Sequence, residues 1–157
     1  MTLEALADQW ALQRLVIDYA DAIDHRDFDR LDQIFTADAY IDYRAMGGID
    51  GRYPEIKTWL VQALAHFPQF MHLVGNLRFD VNGDVATGRV SCFNPMVLPE
   101  TLAGTEGHTM FLGLWYDDEY RRTPEGWRVT RRVERKCYAF NVPDAMRAAL
   151  ATPQPGV

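Results

Sequence analysis

The sequence predicts an α+β protein in which helices gather on one face of a curved sheet. Three observations carry this. Apolar residues before Pro68 recur at helical spacing, and those after it alternate. The strongest short turn signal, Asn82-Gly83, falls between two alternating runs. Helices first, then a meander of long antiparallel strands, is the α+β order. A sheet curled over helices makes a cone with one open end, a natural small-molecule pocket.

The elements follow in order. Leu3, Leu6, Trp10, Leu12, Leu15, Val16 and Tyr19 share helical spacing, with Thr2 as N-cap; this helix ends near Ile23 to His25. A short second helix starts at Asp27, its expected cap, and buries Phe28, Leu31, Ile34 and Phe35. The run "AYIDYRAM" alternates like a strand, and "MGGIDG" is a loop. Pro54 opens a third helix, which repeats Ile56, Trp59, Leu60, Ala63, Leu64 and Phe67 on one side and stops at Pro68. Two strands turn at Asn82-Gly83, and "NPMVLPETLAGTEG" is a loop long enough to act as a lid. A second hairpin joins "HTMFLGLWYDDEYRR" to "GWRVTRRVERKCYAF" through "TPEG". One domain is expected over residues 1–142, then a tail over 143–157 with a short helix and a frayed "TPQPGV".

Composition narrows the function classes. A chain of 157 residues fits one domain with a real core. The net charge of -6, with no basic run beside aromatics, argues against nucleic acid and anionic membranes as partners. No apolar stretch is long enough to span a bilayer, and the acidic N-terminus lacks the basic region of a secretory signal. Cys92 and Cys137 stand far apart without metal-ligand spacing, which fits a reducing cytoplasm. Four histidines without HxxxH or a tight carboxylate cluster give no case for a metal, and phosphate-loop, GxSxG and dinucleotide glycine patterns are absent.

Two segments carry candidate chemistry. In "YADAIDHRDFDRL", Asp21 and Asp29 are expected in water and Asp27 as a cap, leaving Asp24 at the mouth of the cone. On the strand from Phe70 to Val81, Met71, Leu73, Leu77, Phe79 and Val81 share one apolar face. A partner subunit is expected to cover that face, giving a homodimer or homotrimer. His72 then points into the cone. A hydrogen-bonded core histidine is the usual explanation of a lone His; a carboxylate at the end of the first helix would instead make it a general base. His25 and His66 are expected at the surface.

"YADAIDHRDFDRLDQIFTADAYIDYR", the "WL" of the third helix, "HLVGN" and "GWRVTRRV" together resemble the SnoaL-like branch of the nuclear transport factor two-like superfamily. Within that branch the chain is similar to scytalone dehydratase, bile acid 7α-dehydratase and the hexachlorocyclohexane dehydrochlorinase. The resemblance covers the chain to about Val142 and implies a cone-shaped curved mixed sheet with about three N-terminal helices on its concave face. It implies that Asp24 and His72 form a catalytic dyad in which His removes a proton from carbon and Asp holds it. It matches Tyr19 to a tyrosine that contacts substrate oxygen and Tyr43 to one that activates carbonyl or water. Tyr116 falls among the pocket residues of the penultimate strand, and Arg132 or Arg135 matches an active-site arginine. Where relatives carry a second acid, the nearest residue here is Asn94. An Asn82-Gly83 turn would place Phe93 opposite His72, so Asn94 needs a bulge or a register change to reach the pocket.

The expected function is a cofactor-independent lyase or isomerase acting on a small, mostly apolar cyclic or polyketide-like substrate. His72 backed by Asp24 is the general base, with Tyr19, Tyr43 or Asn94 steadying an oxyanion or donating to a departing hydroxyl. Trp59, Phe70, Phe93, Met96, Tyr116 and Arg132 are the expected substrate contacts. Ordinary core packing is the competing explanation for most of the aromatic residues. The alternatives are a ligand-binding module of the same fold, or a small accessory subunit of an aromatic-ring oxygenase.

Overall fold

The computed structural model describes residues 2–151, so the expected frayed "TPQPGV" lies outside the described residues. Helix α1 spans Leu3–Asp24, and Thr2 caps it by accepting the Ala5 N–H at 3.1 Å. Its inward stripe is Leu12, Leu15, Val16, Tyr19, Ala22 and Ile23. Arg26 ends the helix in the left-handed region, at φ 57°. Its guanidinium then donates to the carbonyls of Leu64 and Phe67, each at 2.6 Å. One side chain thereby satisfies two carbonyls at the far end of another helix. The second helix is a 3-10 segment, Phe28–Gln33. Asp27 sits at its N-cap position but makes no capping bond. Its backbone (φ -84°, ψ 68°) is not the extended form that aims a cap side chain at the first turn.

Strand β1 (Phe35–Asp42) leads through a 3-10 turn, Arg44–Met46, to β2 (Asp50–Arg52) and helix α2 (Tyr53–Leu64), with Pro54 in its first turn. Strands β3 (Gln69–Phe70), β4 (Leu73–Asn82), β5 (Val85–Val97), β6 (Thr109–Thr123) and β7 (Gly126–Phe140) follow. A one-turn helix α3 (Glu100–Ala103) sits in the expected lid loop, and α4 (Asp144–Leu150) in the tail. The sheet runs β2-β1-β7-β6-β5-β3, with β4 also paired to β5. β1 lies parallel to β7 and the other pairs are antiparallel, so the sheet is mixed. Its concave side buries Cys92, Asn94 and Met96 of β5 and Met110, Leu112, Leu114 and Tyr116 of β6.

Two irregularities decide which side chains face inward. The β4–β5 turn is Gly83-Asp84, closed by an Asn82–Val85 pair, rather than Asn82-Gly83. Gly83 has φ 62°, the left-handed backbone this tight turn requires. A bulge between Gly75 and Arg78, centred on Asn76 at φ 47°, then shifts the register back by one residue. Leu73 consequently pairs with Phe93, and Met71 N–H bonds to Pro95 O. His72 therefore lies across from Asn94, not Phe93. The bulge also splits the apolar face expected for this strand. Met71 and Leu73 are exposed on the outer side, whereas Phe79 is buried and Leu77 and Val81 pack against the core. A second irregularity in β7 leaves Thr130 without a partner, between the Glu119–Arg131 and Tyr120–Val129 pairs. It turns Arg132 and Glu134 inward, where unbroken alternation from Trp127 would have pointed them out.

Candidate active site

A cavity of about 610 Å³ opens between the concave sheet, the end of α1 and helix α2. That size suits a drug-sized ligand. Leu60, Leu64, Met96, Met110, Leu112 and Leu114 make it apolar, and Met146 and Leu150 of α4 close one side. The polar groups in this apolar wall are few: His72, Asn94, Tyr19, Tyr43, Tyr116 and Glu134, with exposed His66 and Thr101 toward α2 and α3.

The sequence places Asp24 on the last turn of α1 and His72 just ahead of β4, and the fold joins them. His72 Nδ1 lies 2.7 Å from Asp24 Oδ1. The His72 backbone N–H also donates to the same carboxylate, at 2.8 Å to Oδ2 and 3.1 Å to Oδ1. A carboxylate at a helix C-terminus meets the negative end of the helix dipole, and these bonds offset that. An aspartate that accepts at Nδ1 fixes the tautomer: Nδ1 carries the hydrogen, and Nε2 keeps its lone pair for a ligand. The His72 side chain is only 9% exposed.

Asn94 reaches the cavity through the shifted register. Its Nδ2 donates to Met71 O at 2.8 Å, which ties it to the residue preceding His72. Tyr19 and Tyr43 bring their hydroxyls to 2.8 Å of each other. One hydrogen bond between two hydroxyls uses one of their two protons, so the other is left for a ligand. Burial raises the pKa of Tyr19 and, further, of Tyr43, so both stay neutral donors at neutral pH. Gly48 makes room for this corner, since a Cβ there would fall 2.8 Å from both Trp59 and Tyr43. Trp59, Met96 and Tyr116 line the cavity as expected.

Three expected substrate contacts lie elsewhere. Phe93 is on the outer face, stacked on Phe111 with rings 6.1 Å apart, because odd-numbered residues at this end of β5 point outward. Phe70 packs edge-on to His72 and beneath the Arg26 guanidinium, 4.7 Å from its centroid, outside the lining. Arg132 lies behind the cavity wall, fully buried, forked onto Asp118 at 2.8 and 2.7 Å. It is held between the rings of Tyr19 and Tyr116, 4.1 and 4.2 Å from their centroids. Burial alone would lower its pKa, but the Asp118 carboxylate more than compensates and the guanidinium stays charged. The alternative arginine, Arg135, bonds Asp117 on the outer side. Burial pushes the Cys92 thiol up to about 12, and both cysteines are free. Among the described residues no cluster of His, Cys, Asp and Glu can hold a metal ion.

A SnoaL-like domain model matches residues 4–133, most of the chain. The protein belongs to the SnoaL-like domain family. It is 54% identical over 138 residues to the uncharacterized protein Rv2910c of Mycobacterium tuberculosis, spanning 88% of this chain and 91% of that one. Among solved structures it is similar to the hexachlorocyclohexane dehydrochlorinase LinA-type3 of Novosphingobium barchaimii LL02. The TM-score is 0.74 and the identity 25%, over 99% of this chain and 95% of that one. A nuclear transport factor 2-like superfamily protein of Salmonella enterica shares the fold at 14% identity, with TM-score 0.72 over 84% and 92% of the two chains. SnoaL-like membership agrees with the helices-plus-cone architecture above. No helix among the described residues is long and apolar enough to cross a membrane.

Proposed function

We propose that this SnoaL-like protein is a cofactor-independent lyase or isomerase acting on an apolar cyclic or polyketide-like molecule. His72, oriented by Asp24, would remove a proton from carbon beside a carbonyl or leaving group. The carrying observation is the 2.7 Å Asp24–His72 bond at the wall of an otherwise apolar cavity. An imidazole held by a carboxylate at Nδ1 is oriented to present Nε2 as the base. Water-poor walls strengthen every polar contact made to the developing charge. The free proton of the Tyr19–Tyr43 pair is the donor for an enolate-like oxygen. Asn94 acts one step back: bonded to Met71 O, it holds the strand that presents His72. The likeness to a dehydrochlorinase supports elimination as the reaction class.

The test is a screen of cyclic hydroxy-ketones and halogenated rings for elimination, followed by the absorbance of the unsaturated product. His72→Ala should slow any reaction found by about 10²- to 10⁴-fold, with a smaller loss in Asp24→Asn. Ring-nitrogen NMR of His72 should show a single tautomer that is lost in Asp24→Asn. Turnover that persists in His72→Ala, or a His72 ring that ignores Asp24, would sink the dyad.

A further inference from the structure

Glu134 was invisible in the sequence and is a buried-oxygen carboxyl on the cavity wall that the dyad does not explain. It stands on β7, turned inward by the irregularity at Thr130, and its ladder partner is Tyr116. Its Oε2 is buried without a hydrogen-bond partner among the described residues. A native fold rarely leaves such an atom unpaired, and does so where a ligand completes it.

Its charge state follows from its neighbours. Arg132, two residues earlier on the same strand face, is the nearby buried cation, and the Asp118 fork already matches its charge. A second carboxylate beside them would be an unmatched buried anion, which proteins avoid by neutralising the group. Burial accordingly raises the Glu134 pKa well above the usual carboxylate range; Arg132 opposes this in part, and Asp42 adds to it. Burial and the already matched Arg132–Asp118 pair both favour the neutral carboxylic acid, which is a donor on the wall of an apolar cavity.

Its position complements the base. The Tyr19 ring meets His72 edge-on at 6.5 Å and Tyr116 edge-on at 5.8 Å, and Tyr116 sits beside Glu134. Base and acid therefore each flank one of two touching tyrosine rings, and both line the same cavity. We propose that Glu134 is the general acid of the site and that its preferred substrates lose a hydroxyl group as water. This rests on the elimination reading given above. His72 Nε2 takes the proton from carbon, and the C–H pair becomes the new C=C bond. The C–O bond breaks, and the departing oxygen takes the Glu134 proton and leaves as water. The enzyme is then one imidazolium and one carboxylate, and a proton passing between them through water resets it.

Leaving groups separate this role from a structural one. A departing hydroxyl needs a proton, whereas a departing chloride does not. Cyclic β-hydroxy-ketones and β-chloro-ketones of one ring skeleton would be compared in wild type, Glu134→Gln and His72→Ala. Glutamine keeps the shape of the neutral acid but has no acidic proton. The ratio of hydroxyl to chloride elimination should fall by about 100-fold in Glu134→Gln, within the range for general acids, whereas His72→Ala should depress both. An equal loss of both reactions in Glu134→Gln, or no loss, overturns the acid role while leaving the dyad intact. Survival of both reactions in His72→Ala overturns the dyad instead. A readout independent of turnover is the infrared difference between wild type and Glu134→Gln at neutral pH. A protonated-carboxyl C=O band that vanishes in the variant supports the proposal, and a carboxylate band in its place overturns it.

Discussion

Arg132 and His72 each meet an aspartate, yet the two pairs do opposite work. The Arg132–Asp118 fork is wholly buried, with Tyr120 also donating to Asp118 at 2.8 Å. It supports the floor on which Tyr19 and Tyr116 rest. Removing one partner of such a pair strands a charge in low dielectric, and the Asp118→Asn variant should lose about 3–5 kcal/mol of stability. Urea unfolding measures this, and Arg44→Ala, at an exposed pair with Asp42, is the control expected within about 1 kcal/mol. A change below about 1 kcal/mol in Asp118→Asn would mean that water reaches Arg132. That Asp24 and His72 could meet was suggested by an acid at a helix end, a histidine on an alternating run and the family resemblance that pairs them; the fold makes the contact. That Arg132 braces the site instead of touching the ligand was not legible. It depends on Asp118, fourteen residues away on the facing strand.

The strands owe their function to two local faults in regularity. Without the bulge at Asn76, Asn94 would lie out of register with His72, and Leu77, Phe79 and Val81 would join Met71 and Leu73 on one face. Without the one at Thr130, Glu134 would point away from the cavity. Helix positions were readable because caps, prolines and spacing are written locally: Thr2 caps α1 and Pro54 opens α2, although α2 ends at Leu64, ahead of the expected stop at Pro68. Bulges have no comparable signature, and a single extra residue reverses every face beyond it. The apolar run from Met71 to Val81 thus reads as one face in sequence but divides in the fold. Asn76 is the residue type that tolerates a left-handed backbone without being glycine. Asn76→Val should therefore cost about 1–2 kcal/mol, while Asn76→Gly stays within a few tenths. Chemical denaturation of both variants tests this, and equal stability of the pair would show that the bulge is not what the site depends on. The Val variant should also lose turnover more steeply than stability, because Asn94 and His72 meet only in the bulged register.

At the scale of the whole molecule, the helices occupy the concave side and leave the other side of the sheet to solvent. Phe93 and Phe111 stack there with rings 7° from parallel, and Phe140 joins them at 6.3 Å across the next strand. Leu73 and Met71 extend the patch, and they are 64% and 61% exposed. Beside it runs a row of alternating sign, Arg89–Asp117–Arg135. A flat apolar patch with both charges along its edge is complementary to itself, the condition for pairing identical surfaces. Self-pairing of one surface closes as a dimer, so of the expected dimer or trimer we propose the dimer, with a second copy of this chain covering the outer face. The Leu73→Glu variant puts charge on the patch beside Phe93 without touching the cavity, since Leu73 points away from His72. Light scattering coupled to gel filtration should show an oligomer for wild type and a monomer for Leu73→Glu at equal concentration. Circular dichroism should stay native, because the substituted side chain is already in water within one subunit. A wild type that is monomeric at micromolar concentration, or a variant that still associates, would leave the outer face without this role and direct attention to the exposed apolar residues of α1, Leu3, Leu6 and Trp10.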